Sequence, residues 1–236
     1  VKNRKAFKSP PKRFQPGGLP VVHEDHDILV VDKRAGISVV SAAKEREKTA
    51  HYLLGDYVRK GNPKSKNRIF VVHRLDRKSS GLLLFAKSEE VKRVLRDQWQ
   101  DCVKKCSVVI RGRLAEKQGE VSTYLAENSI HKMYSVNSPA KGLLARTGYR
   151  VLRESEKYSL LEVELLTDRK NQVRVHFAEQ GCPVAGDKKY GGKDGQIKRL
   201  CLHMASIEMV HPVTREAMTF ESKTPGYFYS LVSSHG

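Results

Sequence analysis

The chain has 236 residues, with 44 Lys and Arg against 26 Asp and Glu, a formal charge of +18. Hydrophobic residues make up 39% and charged residues 30%. No apolar run is long enough to cross a bilayer as a helix, which excludes a helical membrane protein. Recurring compact apolar segments exclude a fully disordered chain, and the excess of cations points to a polyanionic partner.

Residues 1–20 carry Lys2, Arg4, Lys5, Lys8, Lys12 and Arg13 with no acid, and are rich in Pro and Gly. That composition reads as a basic, flexible arm adding non-specific RNA affinity, with order beginning near Val21. The chain starts at Val1 rather than Met, so its natural N-terminus is expected to lie upstream. Residues 21–236 are expected to form one catalytic domain.

Ile28-Leu29-Val30-Val31 predicts a buried strand leading into the turn Asp32-Lys33-Arg34-Ala35-Gly36. Residues 44–60 predict a helix with Ala50, Leu53, Leu54 and Tyr57 on one face. Gly81 to Ala86 predicts a strand buried on both faces. Ser88 is placed to cap the next helix, with Glu89 and Glu90 at the positive end of its dipole and Val91, Val94, Leu95 and Trp99 at helical spacing. Val108-Val109-Ile110 predicts a strand stopped at Gly112. Leu161, Val163 and Leu165 alternate with Glu162 and Glu164, as a strand with one wet face requires. Residues 170–180 predict a helix burying Val173 and Phe177, with Gly181 at its C-terminal end. Strands and helices mix without a βαβ rhythm, so the expected class is α+β, with a mixed, largely antiparallel sheet flanked by helices and loops.

Cys102, Cys106, Cys182 and Cys201 are scattered, unlike a disulfide framework, and read as reduced thiols of a cytoplasmic or organellar-matrix protein. Cys102 and Cys106 lack a second Cys/His pair at finger spacing, so no metal is expected. His203 and His211 read as core or turn histidines.

Two polar clusters could carry chemistry. His73-Arg74-Leu75-Asp76-Arg77-Lys78 sets one carboxylate among three cations just before an apolar strand, an arrangement that keeps an Asp ionised and nucleophilic. A local loop salt bridge is the plainer account of the same residues. Thr167 to His176 sits where a strand turns into a helix, with Arg169 in the turn and Arg174 inside the helix. A solvated basic face would look the same.

His73-Arg74-Leu75-Asp76 followed by Ser80-Gly81-Leu82-Leu83-Leu84-Phe85-Ala86-Lys87 resembles the catalytic motif of the RluA family of RNA pseudouridine synthases. Residues 32–36 resemble the family's first motif. Thr167, Arg169, Gln172, Arg174 and His176 resemble its arginine-bearing motif. Pro183, Gly186-Asp187, Tyr190-Gly191, Leu202-His203 and His211-Pro212 match further landmarks in order. The resemblance spans residues 21–228.

It implies a cofactor-free isomerisation of uridine to pseudouridine in rRNA or tRNA, by a monomer that has no membrane association and that meets ribosomal assembly intermediates. Asp76 matches the catalytic aspartate and Arg174 the arginine that pairs with it. Arg74 matches the arginine that fills the place of the extruded nucleotide, and extrusion follows from access to a stacked base. His73, Arg169 and Gln172 fall in the same motifs as substrate contacts. Counting back from Gly112, Cys106 occupies the position of the family's tyrosine, whose ring packs on the target uracil. Cys has neither ring nor phenol, and base stacking on an aromatic is worth about 1–3 kcal/mol. A second class is therefore carried forward: an RNA-binding ribosome or RNP assembly factor that kept the fold and lost efficient catalysis.

Overall fold

The computed structural model describes residues 7, 9–11, 14–41, 46–62, 64–192 and 197–233. The chain divides into two compact units, residues 1–102 with 208–222 and residues 103–207 with 223–236. The basic side chains of the N-terminal arm lie outside the described residues.

In the first unit β1 (Val21–Glu24), β2 (Ile28–Lys33) and β4 (Ser80–Ala86) lie side by side, with β3 (Phe70–Val71) also paired to β4. Their registers are antiparallel, with Val31 opposite Leu83 and Leu29 opposite Phe85. Every residue of β4 is buried, as its unbroken apolar run predicts. Helix α1 (Ala50–Arg59) starts later than the pattern suggests, because Thr49 takes the capping position and accepts a bond from the Tyr52 amide. A short 3-10 turn over residues 46–48 precedes it, and residues 44 and 45 lie outside the described residues. Helix α2 (Glu89–Asp97) is capped by Ser88, whose hydroxyl accepts the Val91 amide at 3.1 Å.

Order begins before Val21. Leu19 is fully buried in the core that Leu29, Val31, Leu54, Leu83 and Phe85 build, and Phe7 packs on its edge. Ser9 and Gln15 bond the backbone of Val21. Two apolar side chains thus dock a stretch whose overall composition reads as loose.

In the second unit β5 (Val103–Arg111), β6 (Gln118–Glu127), β7 (Met133–Val136), β8 (Leu143–Glu154) and β9 (Tyr158–Leu165) are ordered β5-β9-β8-β6-β7, antiparallel throughout. On β9 Leu161, Val163 and Leu165 are buried while Glu162 and Glu164 are partly exposed, the predicted alternation. Helix α3 (Gln172–Glu179) follows, and its end is a Schellman motif: the Cys182 amide bonds the Phe177 carbonyl, the Gly181 amide bonds Ala178, and Gly181 has φ of 73°. Strand β10 (Leu202–Val210) begins in this unit next to β5 and ends in the first, where β11 (Ala217–Glu221) pairs with it. Helix α4 (Gly226–Leu231) buries Phe228 with Val109, Leu160 and Ala185. Antiparallel strands with helices set outside any βαβ alternation make the chain α+β.

Candidate active site

Residues 72–79 link β3 to β4 in the first unit. Arg74 is exposed and Asp76 is half-buried. The loop is tied down from below by Lys33, which is fully buried. Its Nζ donates to the carbonyls of Arg34 (3.3 Å), Ile37 (3.0 Å), Asp76 (3.3 Å) and Ser79 (2.7 Å). A buried ammonium is costly unless its donors are satisfied, and here it joins the turn after β2 to the Asp76 loop. The Asp76 carbonyl also accepts the amide and hydroxyl of Ser79. Gly36, with φ of 99°, lets the first turn approach close enough for its amide to bond the Arg77 carbonyl at 2.7 Å.

His73 does not take the substrate-facing place expected of it. It is 5% exposed, its Nε2 accepts the Leu84 amide at 3.1 Å, and its ring stacks on Trp99 at 4.5 Å. The ring fixes the start of the Asp76 loop against β4.

The second cluster lies in the other unit. Gln172 is 2% exposed. Its Oε1 accepts the Thr167 hydroxyl (2.7 Å) and the Arg169 amide (3.1 Å), while its Nε2 donates to the Arg146 carbonyl and the Thr147 hydroxyl (both 2.9 Å). All four bonds that the amide can make are therefore inside the protein, and Gln172 shapes the turn. Arg169 is half-buried and its Nε donates to the Leu144 carbonyl at 3.0 Å. His176 is fully buried between the hydroxyls of Thr147 and Thr123. Burial pulls its pKa down to about 4, so the ring is neutral at pH 7.

Arg174 is almost buried and is gripped by Asp187: Nε to Oδ2 at 2.7 Å and one Nη to Oδ1 at 2.7 Å. Burial by itself would raise the Asp187 pKa, but Arg174 and the amides of Lys189 and Tyr190 outweigh it and hold the carboxyl below its ordinary value. The preceding Gly186 makes this possible, because a Cβ there would lie 2.1 Å from the Arg199 carbonyl. The face of the guanidinium lies over the Tyr190 ring at 5.1 Å. The Tyr190 hydroxyl in turn accepts the Met133 amide and bonds the Asn171 side chain.

Cys106 is 4% exposed on β5, opposite Val163, with its sulfur 3.8 Å from that of Met204. Burial, reinforced by the nearby Asp168 charge, pushes its thiol up to about 12. In this structure it packs as a neutral group against Met204.

The structure thus places His73, Arg74 and Asp76 in the first unit and Cys106, Arg169, Gln172 and Arg174 in the second. Lys33, Asp187 and Tyr190 were given no role from sequence. A lysine ending an apolar strand was the visible signal for the first, and the glycine before Asp187 for the second.

Among the described residues Asp25, Asp27 and His211 could approach one metal ion. The Nδ1 of His211 accepts the amides of Val213 and Thr214, which leaves the ring proton on Nε2, 3.3 Å from Asp25. All four cysteines are buried, and none is in a disulfide.

Residues 27–179, well over half of the chain, match the family model described as RNA pseudouridylate synthase. The chain belongs to that family. A Bacillus subtilis relative named "Uncharacterized RNA pseudouridine synthase YhcT" is 30% identical over 93% of this chain and 73% of its own length. A Pseudomonas aeruginosa relative named "Ribosomal large subunit pseudouridine synthase D" is also 30% identical, over 91% and 71%. Among solved structures, "Human RNA Pseudouridylate Synthase Domain Containing 4" superposes with a TM-score of 0.72 at 20% identity, covering 89% of this chain and 90% of that one, a likeness of fold. As a pseudouridine synthase the chain is an isomerase acting on uridine in RNA. The reading as an inactive assembly factor gains nothing from these relatives.

Proposed function

We propose that Asp76 is the carboxylate that attacks at the ribose of the target uridine, and that the substrate is ribosomal RNA. The reaction exchanges one bond for another. A carboxylate oxygen bonds C1′ as the N1–C1′ bond breaks, uracil turns, the C5–C1′ bond forms as the carboxylate leaves C1′, and C5 loses a proton while N1 gains one. No redox partner is needed. Exposed Arg74 takes the place in the helix left by the extruded nucleotide.

The observation that carries this reading is the Asp76 loop itself. It presents a half-buried carboxylate beside an exposed arginine, on a backbone that buried Lys33 clamps through the carbonyls of Asp76 and Ser79. A group that must meet a reacting carbon within a few tenths of an ångström needs such a support. The choice of ribosomal RNA draws on the names of the Pasteurella, Zymomonas and Pseudomonas relatives, each called a ribosomal large subunit pseudouridine synthase.

The test is to incubate the protein separately with deproteinised ribosomal RNA and with transfer RNA, both transcribed without modification, and to map pseudouridine in each. Conversion at a discrete site in the ribosomal RNA is the expected result. Conversion confined to transfer RNA would overturn the substrate assignment.

A further inference from the structure

The turn between β6 and β7 is built as a rigid tip. The Asn128 side chain accepts the amides of Ile130 (3.2 Å) and Lys132 (2.9 Å). Its backbone closes the loop to Lys132 and His131. His131 adopts a left-handed conformation at φ of 57° to complete the turn. This scaffold leaves Ile130 75% exposed. An isoleucine held out on a fixed turn is an apolar wedge with nothing of its own to cover it.

Cations surround this tip. Lys170, beside the helix of Arg174, reaches Glu127 at 2.5 Å, and exposed His131 meets the same carboxylate at 2.7 Å. The Lys189 Nζ donates to the His131 carbonyl at 2.8 Å. Lys132 and Lys189 stand over the Tyr190 ring at 5.6 and 5.5 Å, the ring that also carries Arg174 at 5.1 Å. Lys132, Lys170 and Lys189 are exposed. Tyr190 therefore joins the exposed lysines to the buried arginine through one aromatic group.

We propose that this turn, with Lys132, Lys170 and Lys189, is an RNA-docking surface that grips backbone phosphates of the substrate RNA while Ile130 presses against a base. Charge complementarity selects the occupant: the substrate is a polyanion, and lysines ranged about an apolar tip match phosphates ranged about bases. The proposal rests on the chain's acting on RNA and not on which carboxylate performs the chemistry.

The test is filter binding to deproteinised ribosomal RNA across a salt series. It compares the wild type with a triple Lys132→Gln, Lys170→Gln, Lys189→Gln variant, a triple Lys→Arg variant at the same positions, and Ile130→Ala. Thermal unfolding serves as the control for folding. Each phosphate contact contributes about 0.7 to 0.9 to the slope of log affinity against log salt, so the Gln variant should lose roughly 2 to 3 units of slope. The Arg variant should keep the wild-type slope. Ile130→Ala should weaken binding on the order of fivefold with the slope unchanged. Wild-type slope and affinity in a folded Gln variant would overturn the proposal. Because the readout is binding, failure here leaves the chemistry of Asp76 standing, and an inactive but normally salt-sensitive protein leaves the docking surface standing.

Discussion

Asp187 holds Arg174 by two bonds of 2.7 Å in a pocket where the carboxylate is fully shielded from water. Two parallel bonds fix the plane of the guanidinium as well as its position, and its central carbon lies over the Tyr190 ring at 5.1 Å. Asp187 thus sets where the Arg174 guanidinium lies.

Asp187→Asn keeps the size of the side chain and removes the charge. Breaking one half of a buried ion pair costs about 3–5 kcal/mol, and on the role that the family motif implies for Arg174, displacing it by an ångström costs roughly 10²-fold in rate. We expect a lower Tm together with a fall in kcat greater than any rise in KM. Loss of stability with turnover intact would show that the pair serves the fold alone. The carboxyl is held below its ordinary value of 3.8, so the stability it gives is present above that pH and drains away only as pH falls below it.

His176 gives a second pH signature, in a milder range. Its folded value is about 4 against 6.5 when unperturbed. Between these values the unfolded chain binds a proton that the folded chain does not, so stability must fall as pH is lowered from 6.5 towards 4. Urea unfolding at intervals across this range should show that slope, and His176→Gln should flatten it by one proton. An unchanged slope in the variant would place the linked proton elsewhere.

Counting back from Gly112 sets Cys106 at the family's tyrosine position, and its thiol can be tested for a part in the reaction. A thiol held at about 12 is neutral across the working range and cannot serve as a thiolate base. We expect Cys106→Ala to retain kcat, and the native protein to resist alkylation at Cys106 until it is unfolded. Loss of turnover in a folded Cys106→Ala variant would show that the sulfur takes part.

Much of this was legible in the sequence wherever a local rule and the tertiary structure agree. Ser88 caps α2, β4 is buried on both faces, β9 alternates, and Gly181 ends α3 because each obeys a short-range pattern that packing then confirms. The β6–β8 strands were not legible. Their faces are largely exposed and polar, as in Gln118-Gly119-Glu120, so no hydrophobic period marks them. At the site, the motif residues were visible but their duties were not. His73 and Gln172 look like polar groups ready for a ligand, yet each is bound to neighbouring protein atoms that only the fold brings close. Lys33 and Asp187 act over 46 and 13 residues of sequence respectively, distances at which no spacing rule applies.

The central claim is that the Asp76 carboxylate performs the isomerisation, and release of the C5 hydrogen measures it directly. Ribosomal RNA labelled with tritium at C5 of uridine is incubated with wild type and with Asp76→Asn. The account predicts tritium release by the wild type, matched one for one by pseudouridine formed, and none above background from Asp76→Asn, although that variant still binds the RNA. Release by a folded Asp76→Asn protein at the wild-type rate would contradict it.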